Sequence, residues 1–590
     1  MNPHSNRLEA VRSALRAQRL DGFLVPRADE HLGEYVPPSA ERLAWLTGFT
    51  GSAGLAVVLL DRAAVFTDGR YTLQLAAQTD AALFEPHHLI EEPPPAWVAE
   101  HTQAGAHIGY DPMLLSEDGL SKYGSAGLSL VPAAPNPVDA AWHDRPAPPQ
   151  AEAVPHPLRY AGKSSGEKRA EIATGLRKAR RDAAVVTDPA SIAWLLNIRG
   201  GDVEYTPFAL GFLLVGADEA ATLFMDPAKL PAATREWLGN GVSVRGRGEL
   251  EAALAGLGGK RVAVDQAGSP IWFAQRLRAA GAQVVDAADP CALPKARKNE
   301  TEQNGARAAH RRDAVAICRF LHWLDGAAGH TTEIGAAKRL LAFRRELPEF
   351  RGESFPAISG AGEHGAIIHY RATPKTDRPV PADEAYLIDS GAQYPDGTTD
   401  ITRTVWTGPD RAPPELRDRA TRVLKGHIAI ATAVFPEGVC GPHLDAFARR
   451  ALWDVGLDYD HGTGHGVGSF LSVHEGPAGL SRAGRMAPLA EGMILSDEPG
   501  FYLPGGYGIR LENLLLIQPA AFDQAKKPFL RFETLTLAPF DRRLLDPALL
   551  TEAERSWLDA YHARVVEQVG PALEDGVRAW LERACRPVQT

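Results

Sequence analysis

The chain is 590 residues long and carries a net charge of −10 at pH 7, with a globular rather than disordered composition of 45% hydrophobic and 23% charged residues. This length exceeds what one core accommodates and predicts about three or four domains. The acidic balance argues against nucleic acid or an anionic membrane surface as the main partner, and no run of about 18 apolar residues or apolar signal core argues for a membrane span or secretion.

In chain order, Arg7, Arg12, Arg16 and Arg19 alternate with Leu8, Val11 and Leu15. Glu9 interrupts the basic run, so the pattern predicts a surface helix leading into a strand rather than an organellar presequence. Short β runs (Phe23–Val25, Leu55–Leu60, Ala63–Thr67) then alternate with helical patterns (Ser39–Leu46, Tyr71–Ala77), which predicts an α/β layer. The proline-rich passage Pro132–Pro157 is expected to be a linker. Beyond it the plan repeats: Leu43-Ala44-Trp45-Leu46 and a strand pair ending at Asp68 are echoed by Ile192-Ala193-Trp194-Leu195 and a pair ending at Asp226, with a longer Arg199–Pro207 loop in the second copy. Two related α/β domains are therefore expected, over 1–157 and 158–294.

The next boundary falls at Pro290–Pro294. It precedes a helix whose start is marked by Asn299 with Glu302 three residues on, and whose buried face is Ile317, Phe320, Leu321 and Leu324. The chemistry follows it. Tyr386-Leu387-Ile388 ends in Asp389, and after a Pro395-Asp396-Gly397 turn the chain resumes as Thr399-Asp400-Ile401-Thr402-Arg403-Thr404-Val405. A β-hairpin with Asp389 and Asp400 side by side across the ladder is expected. Such like charges need a neutraliser, and a metal ion serves.

Three further clusters supply polar residues. His461-Gly462-Thr463-Gly464-His465-Gly466-Val467-Gly468 offers two imidazoles in a segment too glycine-rich for a helix interior. Met493–Gly500 delivers Glu498 at a strand end, and Gly508–Leu516 is expected to hold Glu512 inside an apolar strand on the face of Arg510. Four carboxylates and one imidazole (Asp389, Asp400, His465, Glu498, Glu512) favour Mn(II), with Co(II) or Zn(II) as alternatives. Four negative charges balance two divalent cations and leave a water between them that is readily held as hydroxide, which is a two-metal hydrolytic centre. The glycine spacing does not fit G-x-G-x-x-G, His474-Glu475 lacks the second histidine of H-E-x-x-H, and no P-loop occurs. The cysteines Cys291, Cys318, Cys440 and Cys585 form neither a disulfide frame nor a zinc ribbon, which points to a reducing, cytoplasmic compartment.

These motifs resemble the pita-bread metallopeptidases, and within them the three-domain Xaa-Pro aminopeptidase (aminopeptidase P) branch. The resemblance spans nearly the whole chain. It rests on His31–Tyr35, Gly48–Gly54, Thr67–Tyr71, Ile192–Gly200 with Asp202-Val203, Glu353–Phe355, Gly365–Tyr370, the four clusters, and Phe532–Thr536, which looks like the start of a C-terminal extension from about 530. His364 departs from the pattern, where an asparagine is expected. The resemblance implies an α+β pita-bread catalytic domain over 295–590 behind the two N-terminal α/β domains. It makes Asp400 and Glu512 bridging carboxylates, with Asp389 completing one metal and His465 and Glu498 the other. The implied reaction removes the first residue of peptides with proline at position two, in a homodimer. Glu498 would take part in proton transfer, His474 would stabilise the oxyanion, and His369 and His461 would orient substrate, with Tyr502 and Arg510 in support. A prolidase-like dipeptidase and an inactive binding homologue are the rival readings.

Overall fold

The computed structural model describes residues 2–484 and 486–588. The chain divides into two compact units, 1–158 with 163–292, and 159–162 with 293–590. Among the described residues no helix is long and apolar enough to cross a membrane.

The first unit holds two six-stranded sheets of one plan. In the first, β1 (Gly22–Pro26), β2 (Leu55–Leu59), β3 (Ala63–Thr67), β4 (Glu85–His88), β5 (His107–Tyr110) and β6 (Ser129–Pro132) lie in the order β4-β3-β2-β1-β5-β6. In the second, β7 (Ala183–Val186), β8 (Phe212–Gly216), β9 (Ala221–Phe224), β10 (Val242–Arg245), β11 (Arg261–Val264) and β12 (Gln283–Asp286) lie in the order β10-β9-β8-β7-β11-β12. Each strand of the second has its counterpart in the first. The antiparallel pairs β1–β2 and β2–β3 match β7–β8 and β8–β9. The parallel pair β1–β5 likewise matches β7–β11. The Ala-Trp-Leu echo marks equivalent helices, Arg42–Thr47 and Pro189–Leu196. Part of the expected linker is ordered differently: Pro137–Ala141 is a helix because the Asn136 side chain accepts from the N–H groups of Val138 and Asp139.

The second unit begins with the helix Glu300–Ala327, closed at its start by the expected capping box between Asn299 and Glu302. Its buried stripe of Ile317, Phe320, Leu321 and Leu324 packs on a three-stranded sheet, β13 (Ile358–Ala361), β14 (Ala385–Ser390) and β15 (Ile401–Trp406). A larger sheet follows, built from β16 (Val434–Pro436), β17 (Gly464–Gly466), β18 (Glu475–Leu480), β19 (Ile494–Asp497), β20 (Asn513–Ala520) and β21 (Phe529–Thr534) in the order β16-β21-β20-β19-β17-β18. Gly464 is required where β17 passes β19, because a Cβ there would stand 1.9 Å from the Ser496 carbonyl oxygen. The C-terminal helices Glu552–Val569 and Asp575–Ala584 seat Leu558, Tyr561, Val565 and Leu581 in a core shared with the helix Pro414–Ala431.

Two expectations are corrected. The hairpin forms, but Asp389 stands opposite Thr402 and Ser390 opposite Ile401, so Asp400 lies just before β15 and is not the cross-strand partner of Asp389. A second, smaller pairing of Ala392–Tyr394 with Gly397–Thr398 takes up residues at the turn and shifts the register. Glu512 is not inside a strand; it lies in the break between the strand Tyr507–Arg510 and β20.

Burial in the shared core pushes the imidazoles of His427 and His562 down to about 3. Both are neutral in the fold, whereas the unfolded chain takes up protons below about pH 6.5. Their contribution to stability is therefore complete above that pH and is lost as pH falls toward 3, by about 1.4 kcal/mol per pH unit for each histidine. His562→Gln, which cannot titrate, is expected to flatten the decline by about one such increment between pH 5.5 and 4.5. Urea unfolding of both proteins measures this, and parallel declines would contradict it.

Candidate metal centre

The two sheets deliver five donors to one place, the four acids from the ends of their strands. Asp389 is near the end of β14, Asp400 immediately before β15, His465 at the middle of β17, Glu498 just past β19 and Glu512 just before β20. Delivery at strand ends leaves carboxylate lone pairs outside the ladder, free for a ligand. Donor atoms of Asp400, His465 and Glu512 lie within 4.8 Å of one another. His465 Nε2 is 3.5 Å from both Asp400 Oδ2 and Glu498 Oε1.

The tautomer of His465 follows from its other nitrogen. Nδ1 lies 2.9 Å from the Gly466 carbonyl oxygen and donates to it, so Nε2 is the nitrogen facing the carboxylates, where it donates to Asp400 when protonated and offers a lone pair to a cation when not. The backbone N–H of His465 donates to Ser496 Oγ, which in turn donates to Glu498 Oε1 at 3.1 Å. Thr402 Oγ1 donates to Glu512 Oε2 at 2.9 Å. Asp389 Oδ2 accepts from Arg510 at 2.7 Å, while Asp389 Oδ1 and Asp400 Oδ1 are buried without a hydrogen-bond partner.

These acids repel one another. Burial first, then the charges of Asp400, Glu498 and Asp389, push the Glu512 carboxyl well above the usual range. Burial likewise pushes Glu498 up to about 7, and burial with the Asp400 charge raises Asp389 against the opposing pull of Arg510. Burial lowers His465, but its hydrogen bond to Asp400 and the Glu498 charge outweigh that and lift it to about 9. Orphaned buried oxygens, mutual repulsion and an imidazole nitrogen aimed into the same cluster are the features of a donor set made for cations. One nearby guanidinium cannot neutralise four acids, and two divalent ions can.

The remaining predicted residues surround this cluster. His474 is exposed and meets His465 edge-on, with ring centroids 4.3 Å apart. Its neighbour Glu475 is buried between Lys295 and Lys298, at 3.1 and 2.5 Å. His461 Nε2 is 2.8 Å from Tyr502 Oη, which accepts from Arg510 at 2.7 Å. His369 is half-buried, and the carbonyl oxygen of its neighbour Ile368 accepts from Arg510. Arg510 thus reaches Asp389, Tyr502 and Ile368 together. His364 turns away to Glu333, with Nδ1 at 2.9 and 3.0 Å from its carboxylate oxygens. Sequence reasoning missed Thr402, Ser496, Arg403 and His427, all buried beside or behind the candidate ligands; no local signal marks them, because each acts across the sheets.

Residues 304–519 match metallopeptidase family M24, 7–138 and 144–302 each match a creatinase/prolidase N-terminal domain, and 528–588 match the C-terminal region of peptidase M24. The chain belongs to metallopeptidase family M24, which together with the neighbour described below supports two divalent metals at this site. Among curated relatives it is 40% identical over 99% of its length to a probable Xaa-Pro aminopeptidase P of Laccaria bicolor, covering 94% of that protein. It is 39% identical to the Coprinopsis cinerea counterpart, covering 99% of this chain and 98% of that one. Among solved structures, an X-prolyl aminopeptidase of Caenorhabditis elegans, described as a cytosolic enzyme with a di-nuclear active site, matches over 100% of both chains with a TM-score of 0.94 and 34% identity.

Repulsion in the metal-free protein has a testable sign. The folded pKa of Glu498, near 7, lies above the unfolded value of about 4.3. Stability from its held proton is therefore full below that unfolded value and lost as pH rises through 7. In chelator, raising pH from 5 to 8 is expected to lower the melting temperature of the wild type more than that of Glu512→Gln. Mn(II) is expected to restore the wild type and to raise the variant much less. Equal pH slopes, or equal rescue by Mn(II), would remove Glu512 from the cluster's electrostatics.

Proposed function

We propose that this protein is a metal-dependent Xaa-Pro aminopeptidase, releasing the first residue of peptides whose second residue is proline. The reading is carried by the extent of the likeness: proteins of that name are related to it along 99% of its length, through both N-terminal domains and the C-terminal region. Asp400 and Glu512 are assigned to both cations, Asp389 to one, and His465 and Glu498 to the other, with Mn(II) as the metal. Bound there, the cations supply Lewis acidity to the scissile carbonyl and acidify water.

The chain's own residues do the rest. An Xaa-Pro amide has no N–H, so a site that reads a peptide by that donor fails, and recognition must grip a ring and a carbonyl. His474 sits beside His465 and donates to the carbonyl oxygen as charge develops on it. Glu498 moves the proton between the attacking water and the departing proline nitrogen. His369, on a loop tied to Arg510, and His461, held by Tyr502, orient the substrate and receive the proline ring.

The domain limits 1–157, 158–294 and 295–590 belong to the same proposal, as do a cytoplasmic location and a homodimer. Three exposed apolar side chains close together in the chain, Phe447, Trp453 and Val455, support self-association.

Mass spectrometry of products from Arg-Pro-Pro-Gly, Arg-Ala-Pro-Gly and Arg-Pro, with Mn(II) or with chelator, tests the activity. Metal-dependent release of arginine from the first, and little from the second, is expected; cleavage of the dipeptide alone would make the enzyme a prolidase. His369→Ala is expected to lower kcat by roughly 100-fold or more and leave two cations per chain. Parallel loss of activity and metal would make His369 structural.

A further inference from the structure

Arg403 stands near the middle of β15, three residues after Asp400, and is 1% exposed. Among the described residues no carboxylate lies within ion-pair distance of it, which is unusual for a buried guanidinium. Its donors go to oxygens instead. Nε donates to the Pro539 carbonyl at 3.1 Å, one terminal nitrogen to the carbonyls of Thr402 and Glu512 at 2.9 and 2.5 Å, and the other to Ala538 O, Asn513 Oδ1 and Tyr561 Oη at 2.8, 2.8 and 3.1 Å. Its flat face lies 4.2 Å from the ring centre of Phe540.

The connection continues past Asn513. Asn513 Nδ2 is 3.0 Å from His427 Nε2, and His427 Nδ1 is 3.1 Å from the Asp497 carbonyl oxygen. A guanidinium has donors only, so the amide oxygen of Asn513 must face Arg403 and its NH2 must face His427. His427 Nε2 is then an acceptor, the ring proton sits on Nδ1, and it is donated to Asp497. Each hydrogen bond sets the direction of the next, and no member can be flipped alone. The ends of this relay are informative: Asp497 and Asn513 are paired across β19 and β20, and they adjoin Glu498 and Glu512.

We propose that Arg403, Asn513 and His427 are positioning residues that set the spacing of Glu498 and Glu512, and that Tyr561 makes the C-terminal segment 528–588 part of the machinery that holds the cations. This rests on the reading of those glutamates as metal ligands. Arg403 grips the Glu512 carbonyl directly and reaches the strand of Glu498 through Asn513 and His427. Apart from the Thr402 carbonyl, its remaining acceptors are Ala538, Pro539 and Tyr561, all within the C-terminal segment. Without those acceptors a buried cation would be left partly unpaired, and its hold on Glu512 would loosen.

The test replaces His427 in two ways in the full-length, Co(II)-loaded enzyme. Glutamine keeps an acceptor and a donor; leucine keeps neither, yet suits surroundings that include Phe540 and Trp557. Cation affinity by chelator competition, the Co(II) absorption spectrum, and kcat with KM are compared. His427→Leu is expected to lose about 10- to 100-fold in affinity or kcat, with an altered spectrum and KM little changed, and His427→Gln to stay within a few-fold of wild type. Tyr561→Phe, which removes only a hydroxyl, is expected to fall between them. Leu558→Ala, in the same helix as Tyr561 but outside the relay, is expected to lower the melting temperature and leave the affinity and spectrum intact. Equal behaviour of the two His427 variants, or an equal loss in Leu558→Ala, overturns the positioning role alone. Failure of the wild type to bind two cations overturns the metal-ligand reading and this proposal with it.

Discussion

Mutual repulsion among three buried carboxylates and the half-buried Glu498 is the constraint on which the second unit depends. Asp400 and Glu512 are 4% and 1% exposed, and Asp389 is 8% exposed, so water does little to screen them from one another. Such a cluster persists only if protons, guanidinium groups or metal cations offset its charge, and if the backbone is too stiff to let the acids separate. The fold meets the second condition by placing the acids at the ends of strands from two sheets. Helix Glu300–Ala327 packs on one of these sheets, and a core including the helix Pro414–Ala431 and the C-terminal helices stands behind the site. Strand ends suit this task, since a carboxylate in mid-ladder would face its neighbours' side chains rather than a shared space.

Two buried arginines divide the positive charge. Arg510 donates to Asp389, Tyr502 and the carbonyl of Ile368, just before His369. Arg403 stands behind, gripping the Glu512 backbone rather than its carboxylate. The difference matters: an arginine bonded to the Glu512 carboxylate would occupy the lone pairs that a cation needs, whereas one bonded to the carbonyl fixes the residue and leaves the side chain to Thr402 and the site. Lysine could not perform the second task, because a single ammonium cannot reach six oxygens spread around a planar fork.

Much of this was legible in the sequence where the signal is local. The capping box at Asn299 and Glu302, the buried stripe that follows it, and the Ala-Trp-Leu echo all read directly into elements, and the echo proved to mark sheets of identical strand order. Asp389, Glu498 and Glu512 could be picked out because a charged residue terminates or interrupts an apolar run, Asp400 by its place after the turn, and His465 by its glycine-rich setting. Register was not legible. The small pairing of Ala392–Tyr394 with Gly397–Thr398 moves Asp400 off the ladder, and its residues are compatible with a plain turn. Glu512 looked like a strand residue because apolar residues flank it on both sides, although the chain breaks there to release its side chain. Arg403 and His427 carried no signal at all: one reads as an ordinary residue in a β-branched run and the other as a helix residue, and their meaning comes from partners more than 80 positions away.

The glycine-rich segment shows how a local pattern acquires chemistry only when its partners are known. His461 and His465 are each followed by glycine, and each directs Nδ1 to that glycine's carbonyl oxygen, at 2.8 and 2.9 Å. The same device engages Nδ1 twice and turns Nε2 toward the partner across the site. For His465 that nitrogen faces acids, where it holds either a proton or a cation. For His461 it faces Tyr502, whose oxygen already accepts from Arg510 and whose proton therefore goes to the imidazole. With both nitrogens engaged, His461, in its proposed role, would offer a substrate its ring rather than a hydrogen bond. A proline residue, which has a ring and no N–H to donate, is the partner such a surface can receive without leaving a polar group unpaired. On the proposed assignment, one dipeptide unit used twice would yield a ligand and a ring-accepting wall, and the distinction lies wholly in what the second nitrogen meets.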